Sequence, residues 1–226
     1  MHTGKGQVLE LILQNGFRQA RLTCTENLVP APGQYLLVGD NHSDSSLPVP
    51  IFFTDSAPQG FIAAAPIPGS WTPGRELYLR GPFGRGFLLP VSARKVGLVA
   101  CEDSPARLHG LIQRALNQDA AVVLVSDLRM DHLPDEVEVQ PLSAMSEIIQ
   151  WADYIAFDAA RGSLAELREG LLNRRQTSFD AQVLVHTPVP CGGVAECGVC
   201  AVTVKSGWKM ACKDGPVFDW KELLLT

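Results

Sequence analysis

Through the first ninety residues, short apolar runs alternate with turn residues at close intervals. Residues 7–13 and 17–24 carry partial alternation of apolar and polar positions, with Asn15-Gly16 between them as a hairpin signal. Residues 34–38, 50–54, 60–64 and 76–80 read as four further strands, and Pro or Gly punctuates nearly every gap between them. Six short strands at this spacing predict a small closed barrel rather than a sandwich, because closure removes exposed edges.

After Pro90 the rhythm changes. Residues 96–100 form an apolar run of the kind found in buried parallel strands. Ser104-Pro105 marks a helix start, and Leu108, Leu111, Ile112, Ala115 and Leu116 follow at helical spacing. Residues 121–125 and 137–139 are the next strands. A helix over 143–150 leads into a strand at 154–157, and a helix over 163–173 into one at 182–185. Strands alternating with helices predict a doubly wound parallel sheet. The expected fold class is therefore β-barrel plus α/β. Three units are expected: a six-stranded barrel over 1–92, an α/β unit of the nucleotide-binding type over 93–186, and an appended cysteine-rich segment over 187–226.

Composition narrows the partners. The 226 residues are 46% hydrophobic, enough for one or two cores. The net charge of −5, with Lys and Arg scattered, lacks the basic footprint of a nucleic-acid binder. No apolar stretch approaches eighteen residues, so no membrane span is expected. The opening Met1-His-Thr-Gly-Lys-Gly-Gln is polar, without an apolar signal core, so a cytoplasmic location is expected.

The chemistry lies near the C-terminus. Four of the six cysteines, Cys191, Cys197, Cys200 and Cys212, fall within 22 residues as C-x5-C-x2-C-x11-C, with Gly192, Gly193 and Gly198 between them. Four thiolates this close suit one tetrahedral metal or one small iron–sulfur cluster, and neighbouring glycines let backbone N–H groups approach the sulfurs. The spacing is one residue longer than the plant-type C-x4-C-x2-C pattern, which favours a [2Fe–2S] cluster. Structural zinc remains an alternative, although it usually draws on two C-x2-C knuckles and only Cys197 and Cys200 form one. Disulfides are the third reading and need an oxidising compartment. Cys24 and Cys101 read as small buried hydrophobes. The histidines show no ligand spacing among themselves, and His186 is only a remote substitute for a cysteine ligand. Trp208 and Met210, between the third and fourth cysteines, are expected to shield the metal from water.

Barrel, nucleotide-type α/β unit and four-cysteine segment occur here in that order. With Cys197-Gly-Val-Cys200, Cys212-Lys-Asp-Gly-Pro-Val-Phe218, Gly81-Pro-Phe-Gly-Arg-Gly-Phe87 and Pro32-Gly-Gln-Tyr35, the chain resembles the electron-transfer subunits of class 1B dihydroorotate dehydrogenase, within the ferredoxin-reductase superfamily. The resemblance covers the whole chain in architecture, and in motif these four places only. It implies a ferredoxin-reductase-like, flavin-binding-type barrel and strengthens the [2Fe–2S] reading. In that family the subunit takes hydride from NADH on FAD. Electrons then pass singly through the cluster to an FMN-containing catalytic subunit that oxidises dihydroorotate.

Two departures qualify the implication. The family's flavin-binding strand carries an arginine that clamps the FAD pyrophosphate, whereas no Lys or Arg occurs here from 31 to 74. Barrels with and without FAD both remain open, and the contacts available to a flavin are Thr54, Arg80, Gly81 and Gly84, with Arg85 as a second arginine. The family's glycine-rich nicotinamide turn is replaced by Ala100-Cys-Glu-Asp-Ser-Pro105, where Glu102 and Asp103 would repel phosphate. NAD binding is therefore not expected, and those two carboxylates read as plain helix-start residues.

The expectation is an iron–sulfur electron-transfer subunit without catalytic residues or an NADH site of its own. It would relay electrons to or from an FMN-containing, dihydroorotate-dehydrogenase-like catalytic subunit in a hetero-oligomer. An intact FAD-containing NADH-oxidising subunit, a carrier serving another substrate and a zinc-stapled interaction module are the alternatives. Residues 220–225 either fold back as core or join the docking face.

Overall fold

The computed structural model describes the chain except residues 15, 41–46, 65, 102–103, 129, 131, 173–179 and 224–226. Strands β1 (His2–Gln14), β2 (Phe17–Thr23), β3 (Tyr35–Gly39), β4 (Val49–Ala57), β5 (Gly60–Ala63) and β6 (Glu76–Phe83) close into an antiparallel barrel, in the order β1-β2-β5-β4-β3-β6. Asn15 of the hairpin signal lies outside the described residues. β1 begins five residues before its expected start, and this early part pairs with β6 from His2↔Gly81 to Gln7↔Glu76, closing the barrel. Glycine hid that stretch from the apolar pattern, and packing explains the glycine: a Cβ on Gly6 would collide with the Thr23 carbonyl.

β3 and β4 are buried on both faces. Leu36, Val38, Ile51 and Phe53 fill the barrel, while Tyr35, Leu37 and Phe52 face outward into the larger core of the second half. Strand side chains alternate between faces, so a near-continuous apolar run is the signature of a strand with something packed on each side.

The second half follows as β7 (Lys95–Ala100), α1 (Ala106–Leu116), β8 (Ala121–Val125), β9 (Val137–Gln140), α2 (Met145–Trp151), β10 (Tyr154–Ala160), α3 (Leu164–Leu172) and β11 (Asp180–His186). A hairpin of β12 (Ala201–Val204) and β13 (Gly207–Met210) precedes β14 (Val217–Asp219) and the short helix α4 (Trp220–Leu223). The sheet order is β14-β11-β10-β7-β8-β9, parallel except for β14, which pairs antiparallel with β11. The doubly wound sheet thus matches the expectation, with its crevice between the ends of β7 and β10. The cysteine segment is more than an appendage, because the strand that follows it completes the sheet edge.

α1 is wedged between barrel and sheet. The Ser104 hydroxyl accepts from the Ala106 N–H at 3.2 Å near the helix start. Gly110 presses against Phe53 and Pro32 too closely for a Cβ, which accounts for a glycine in mid-helix. Arg107, in the first turn, donates through Nε to Asp158 Oδ2 of β10 at 2.7 Å, with side chains 7% and 1% exposed. Removing one member of such a pair strands a buried charge, at about 3–5 kcal/mol. Arg107→Ala should lower the unfolding free energy by about that amount in urea titration, and Arg107→Met with Asp158→Leu should recover most of it. A loss below about 1 kcal/mol in the single variant would place the pair in effective contact with water.

Candidate metal centre

Backbone turns and a hairpin deliver Cys191, Cys200 and Cys212. Beyond β11 the chain turns through Val189, whose carbonyl accepts from the Gly192 N–H at 3.2 Å, and the Cys191 carbonyl accepts from the Val194 N–H at 3.3 Å. Gly192 and Gly193 take positive φ angles of 56° and 80°, which a residue with a Cβ adopts at a cost. A Cβ on Gly192 would also strike Leu37 of β3, so the glycine lets the segment lie directly on the outer face of the barrel. Arg80 of β6 secures this docking by donating to the Cys191 carbonyl at 3.2 Å, its guanidinium 5.5 Å above the Phe83 ring.

The eleven-residue gap between Cys200 and Cys212 is closed by the β12–β13 hairpin. Ala201 pairs with Met210, and the Ala211 N–H donates to the Cys200 carbonyl at 3.0 Å. The Cys-x-Asp-Gly-Pro-Val-Phe signature then reads as a clasp. Asp214 accepts from the Met210 N–H at 2.9 Å, Gly215 sits against Phe218 with no space for a Cβ, and the Pro216 carbonyl accepts from the Val185 N–H at 2.9 Å. Val217 and Phe218 complete it as β14.

The four cysteine sulfurs come together, with Cys191 hydrogen-bonded to both Cys197 and Cys212, and Cys212 also to Cys200. Cys191 and Cys197 have their sulfurs 3.7 Å apart, and Cys200 and Cys212 have theirs 3.2 Å apart. None of the chain's six cysteines is in a disulfide. Cys200 and Cys212 are buried, whereas Cys197 is exposed. Hydrogen bonding from the Ala195 backbone, ahead of that from Gly193, holds the Cys191 thiol below its ordinary value against the opposing effect of burial. Burial, followed by the hydrogen bond with Cys200, pushes the Cys212 thiol up to about 12. Among the described residues, no three His, Cys, Asp or Glu side chains converge on one point.

Trp208 does not cover this centre. It is 73% exposed, because its cross-strand partner Thr203 lies on the outer face of the hairpin while Val202 and Val204 fill the inner one. Met210 does pack against the core. The inner cover is Tyr35, which sequence reasoning missed. It sits between Phe52 and Phe83 at ring distances of 5.8 and 5.6 Å, and burial, then the neighbouring Cys212, Cys200 and Cys191, raise its phenol well above the ordinary range. The available signal was a single hydroxyl-bearing residue opening the run Tyr-Leu-Leu-Val. The other cysteines stand apart: Cys24 packs against the barrel core with its thiol pushed up to about 11 by burial, and Cys101 packs against the larger core. His186 faces the Phe52 ring at 6.3 Å.

The flavin candidates are not brought together. Arg80 lines a cleft of ≈ 680 Å³ with Leu37, Pro48, Tyr78, Cys191 and Val194. Thr54 lines a different pocket beside Asp55, His109, Met130 and His132. Gly81 and Gly84 serve internal packing: a Cβ on Gly81 would meet Leu36, and one on Gly84 would meet Gly215 and Pro216. Arg85 bridges to Pro216 through its backbone. Glu102 and Asp103 lie outside the described residues, and Arg107 is committed to Asp158.

The sequence profile of the iron–sulfur cluster binding domain of dihydroorotate dehydrogenase B matches residues 191–224, which contain all four cysteines. The probable dihydroorotate dehydrogenase B (NAD+) electron transfer subunit of Methanopyrus kandleri is 26% identical over 223 residues, covering 85% of this chain and 80% of the relative. The dihydroorotate dehydrogenase B (NAD+) electron transfer subunit of Desulforamulus reducens is also 26% identical, over 228 residues, covering 84% and 86%. The chain is thus similar over most of its length to dihydroorotate dehydrogenase B electron transfer subunits, and residues 191–224 match their iron–sulfur cluster binding domain. Its fold is that of the ferredoxin reductases. An NADH-dependent reduced ferredoxin-NADP oxidoreductase, studied for flavin-based electron bifurcation, superposes with a TM-score of 0.76 at 17% identity, covering 96% of this chain and 88% of that one. The ferredoxin reductase of carbazole 1,9a-dioxygenase gives 0.60 at 15% identity, covering 76% and 63%. No helix among the described residues is long and apolar enough to cross a membrane.

Proposed function

We propose that Cys191, Cys197, Cys200 and Cys212 ligate a [2Fe–2S] cluster. On this reading the chain is the electron-transfer subunit of a dihydroorotate-dehydrogenase-like complex in the cytoplasm, relaying electrons to or from an FMN-containing catalytic subunit. The match of residues 191–224, with all four cysteines inside it, to an iron–sulfur cluster binding domain carries the assignment. The sulfurs run in contact from Cys197 through Cys191 and Cys212 to Cys200, which supports four ligands to one centre. When bound, the cluster supplies one-electron transfer, which lets a two-electron flavin partner react in two single steps. Anaerobically prepared protein should contain about two irons and two acid-labile sulfides per chain, and Cys200→Ser should abolish both. Stoichiometric zinc without iron would reverse the assignment.

The nucleotide crevice supports a subunit without its own NADH site. Arg107, in the first turn of α1, is held by Asp158 and so offers no free charge to a pyrophosphate. NADH should neither reduce the cluster of the isolated subunit nor give calorimetric heat at tens of micromolar. Low-micromolar binding would restore the NADH-oxidising reading. The cleft beside Cys191, with Arg80 at its wall, favours a second reading in which FAD is kept. Flavin absorbance in the purified protein separates the two.

Docking is best supported at the outer cysteines. Trp220 and Leu223 fold back as core, and Leu224 and Leu225 lie outside the described residues. Cutting the chain after Pro216 would therefore remove the β14 strand rather than a docking face. Val194 and Val199 flank exposed Cys197 and are 63% and 43% exposed. An apolar patch beside the exposed edge of the cluster suits close approach of a flavoprotein. Val194→Asp with Val199→Asp should weaken association with the catalytic subunit at least tenfold in a binding assay and leave iron content unchanged. Unchanged affinity would move the interface elsewhere.

A further inference from the structure

Tyr35 is fully buried, and its hydroxyl has no hydrogen-bond partner among the described residues. A buried unpaired hydroxyl is unfavourable, and such groups in native folds are rare. Phenylalanine at this position would keep the ring contacts with Phe52 and Phe83 and remove the orphan, so the hydroxyl itself requires an explanation. The surroundings supply one. Tyr35 lies on the outward face of β3 with Leu37, two residues on, and Leu37 is the residue against which Gly192 of the cysteine segment rests. Cys200 and Cys212 belong to the same continuous core, and Cys212, Cys200 and Cys191 all lie within electrostatic reach of the phenol. A phenol has one O–H to donate, and a thiolate or sulfide sulfur can accept it.

We propose that the Tyr35 hydroxyl donates a hydrogen bond to a thiolate or sulfide sulfur at the inner, Cys200–Cys212 end of the bound cluster and raises its reduction potential. The inference rests on the [2Fe–2S] reading. Reduction adds negative charge to the sulfurs, so a donor aimed at them stabilises the reduced state more than the oxidised one. The donor is also shielded from solvent, where such a bond is electrostatically stronger than in water.

Iron and sulfide analysis of the wild-type protein comes first, because absence of iron there defeats the cluster reading and not this inference alone. Potentiometric titration of the loaded subunit, followed by EPR, is then compared with Tyr35→Phe. The variant should load fully and show a midpoint lower by about 60 mV, the one-electron equivalent of a tenfold change in the reduction equilibrium. An unchanged midpoint at full loading overturns the proposal. If Tyr35→Phe fails to load, incorporation of a ring-fluorinated tyrosine at position 35, a stronger donor of nearly the same shape, decides the question. A rise in midpoint supports the bond, and an unchanged midpoint overturns it.

Discussion

β3 must satisfy apolar surface on both of its faces, and much of the molecule is arranged to do so. Its inward residues, Leu36 and Val38, belong to the barrel interior and would need nothing further if the barrel stood alone. Its outward residues, Tyr35 and Leu37, would then lie against water. Burying them requires a second layer, provided jointly by the sheet core and by the cysteine segment. A side chain of this size contributes roughly 1.5–3 kcal/mol on burial, so the segment has an apolar reason to lie there apart from any metal. Gly192 removes the steric obstacle, and Arg80 adds a directed bond to the Cys191 carbonyl.

On the proposed reading, this arrangement gives the cysteine site two unlike ends. The Cys200–Cys212 end is enclosed, and burial pushes the Cys212 thiol up. The Cys191–Cys197 end is open at Cys197, where backbone hydrogen bonding already favours the Cys191 thiolate. An electron carrier benefits from such asymmetry. On the proposed reading, the enclosed end would set the electrostatic environment and the exposed end would bring the redox centre near a partner.

Much of the fold was legible in the sequence because its elements announce themselves by period. The six barrel strands and the alternating α/β pattern all appear close to their expected places. The exceptions have physical causes. The start of β1 carries Gly4 and Gly6 where strands normally carry apolar residues, since closure of the barrel leaves them no room for side chains. β14 is three residues long and is defined by its pairing with β11 rather than by any pattern of its own. In the candidate site, cysteine spacing revealed the ligand set proposed here, while the role of Arg80 was hidden. An arginine on a barrel strand resembles a phosphate clamp in sequence, and only tertiary placement turns it toward a carbonyl of the cysteine segment. Trp208 was misjudged for a related reason, because its face is fixed by hairpin register and not by its position between two cysteines.

β14 pairs with β11 only after residues 187–216 have looped out and returned, and the four cysteines lie inside that loop. Ordering such a loop costs conformational entropy, and whatever ties it together reduces the further entropy lost when the strand docks. On the proposed reading, the cluster and the sheet edge are therefore thermodynamically linked: iron that binds the closed loop favours strand pairing, and the paired strand favours iron to the same extent. Without the metal, the outer edge of β11 would be uncovered more often, presenting unpaired backbone groups to other chains. The cysteine segment would then act as a guard on the solubility of the apo-protein as well as a redox site.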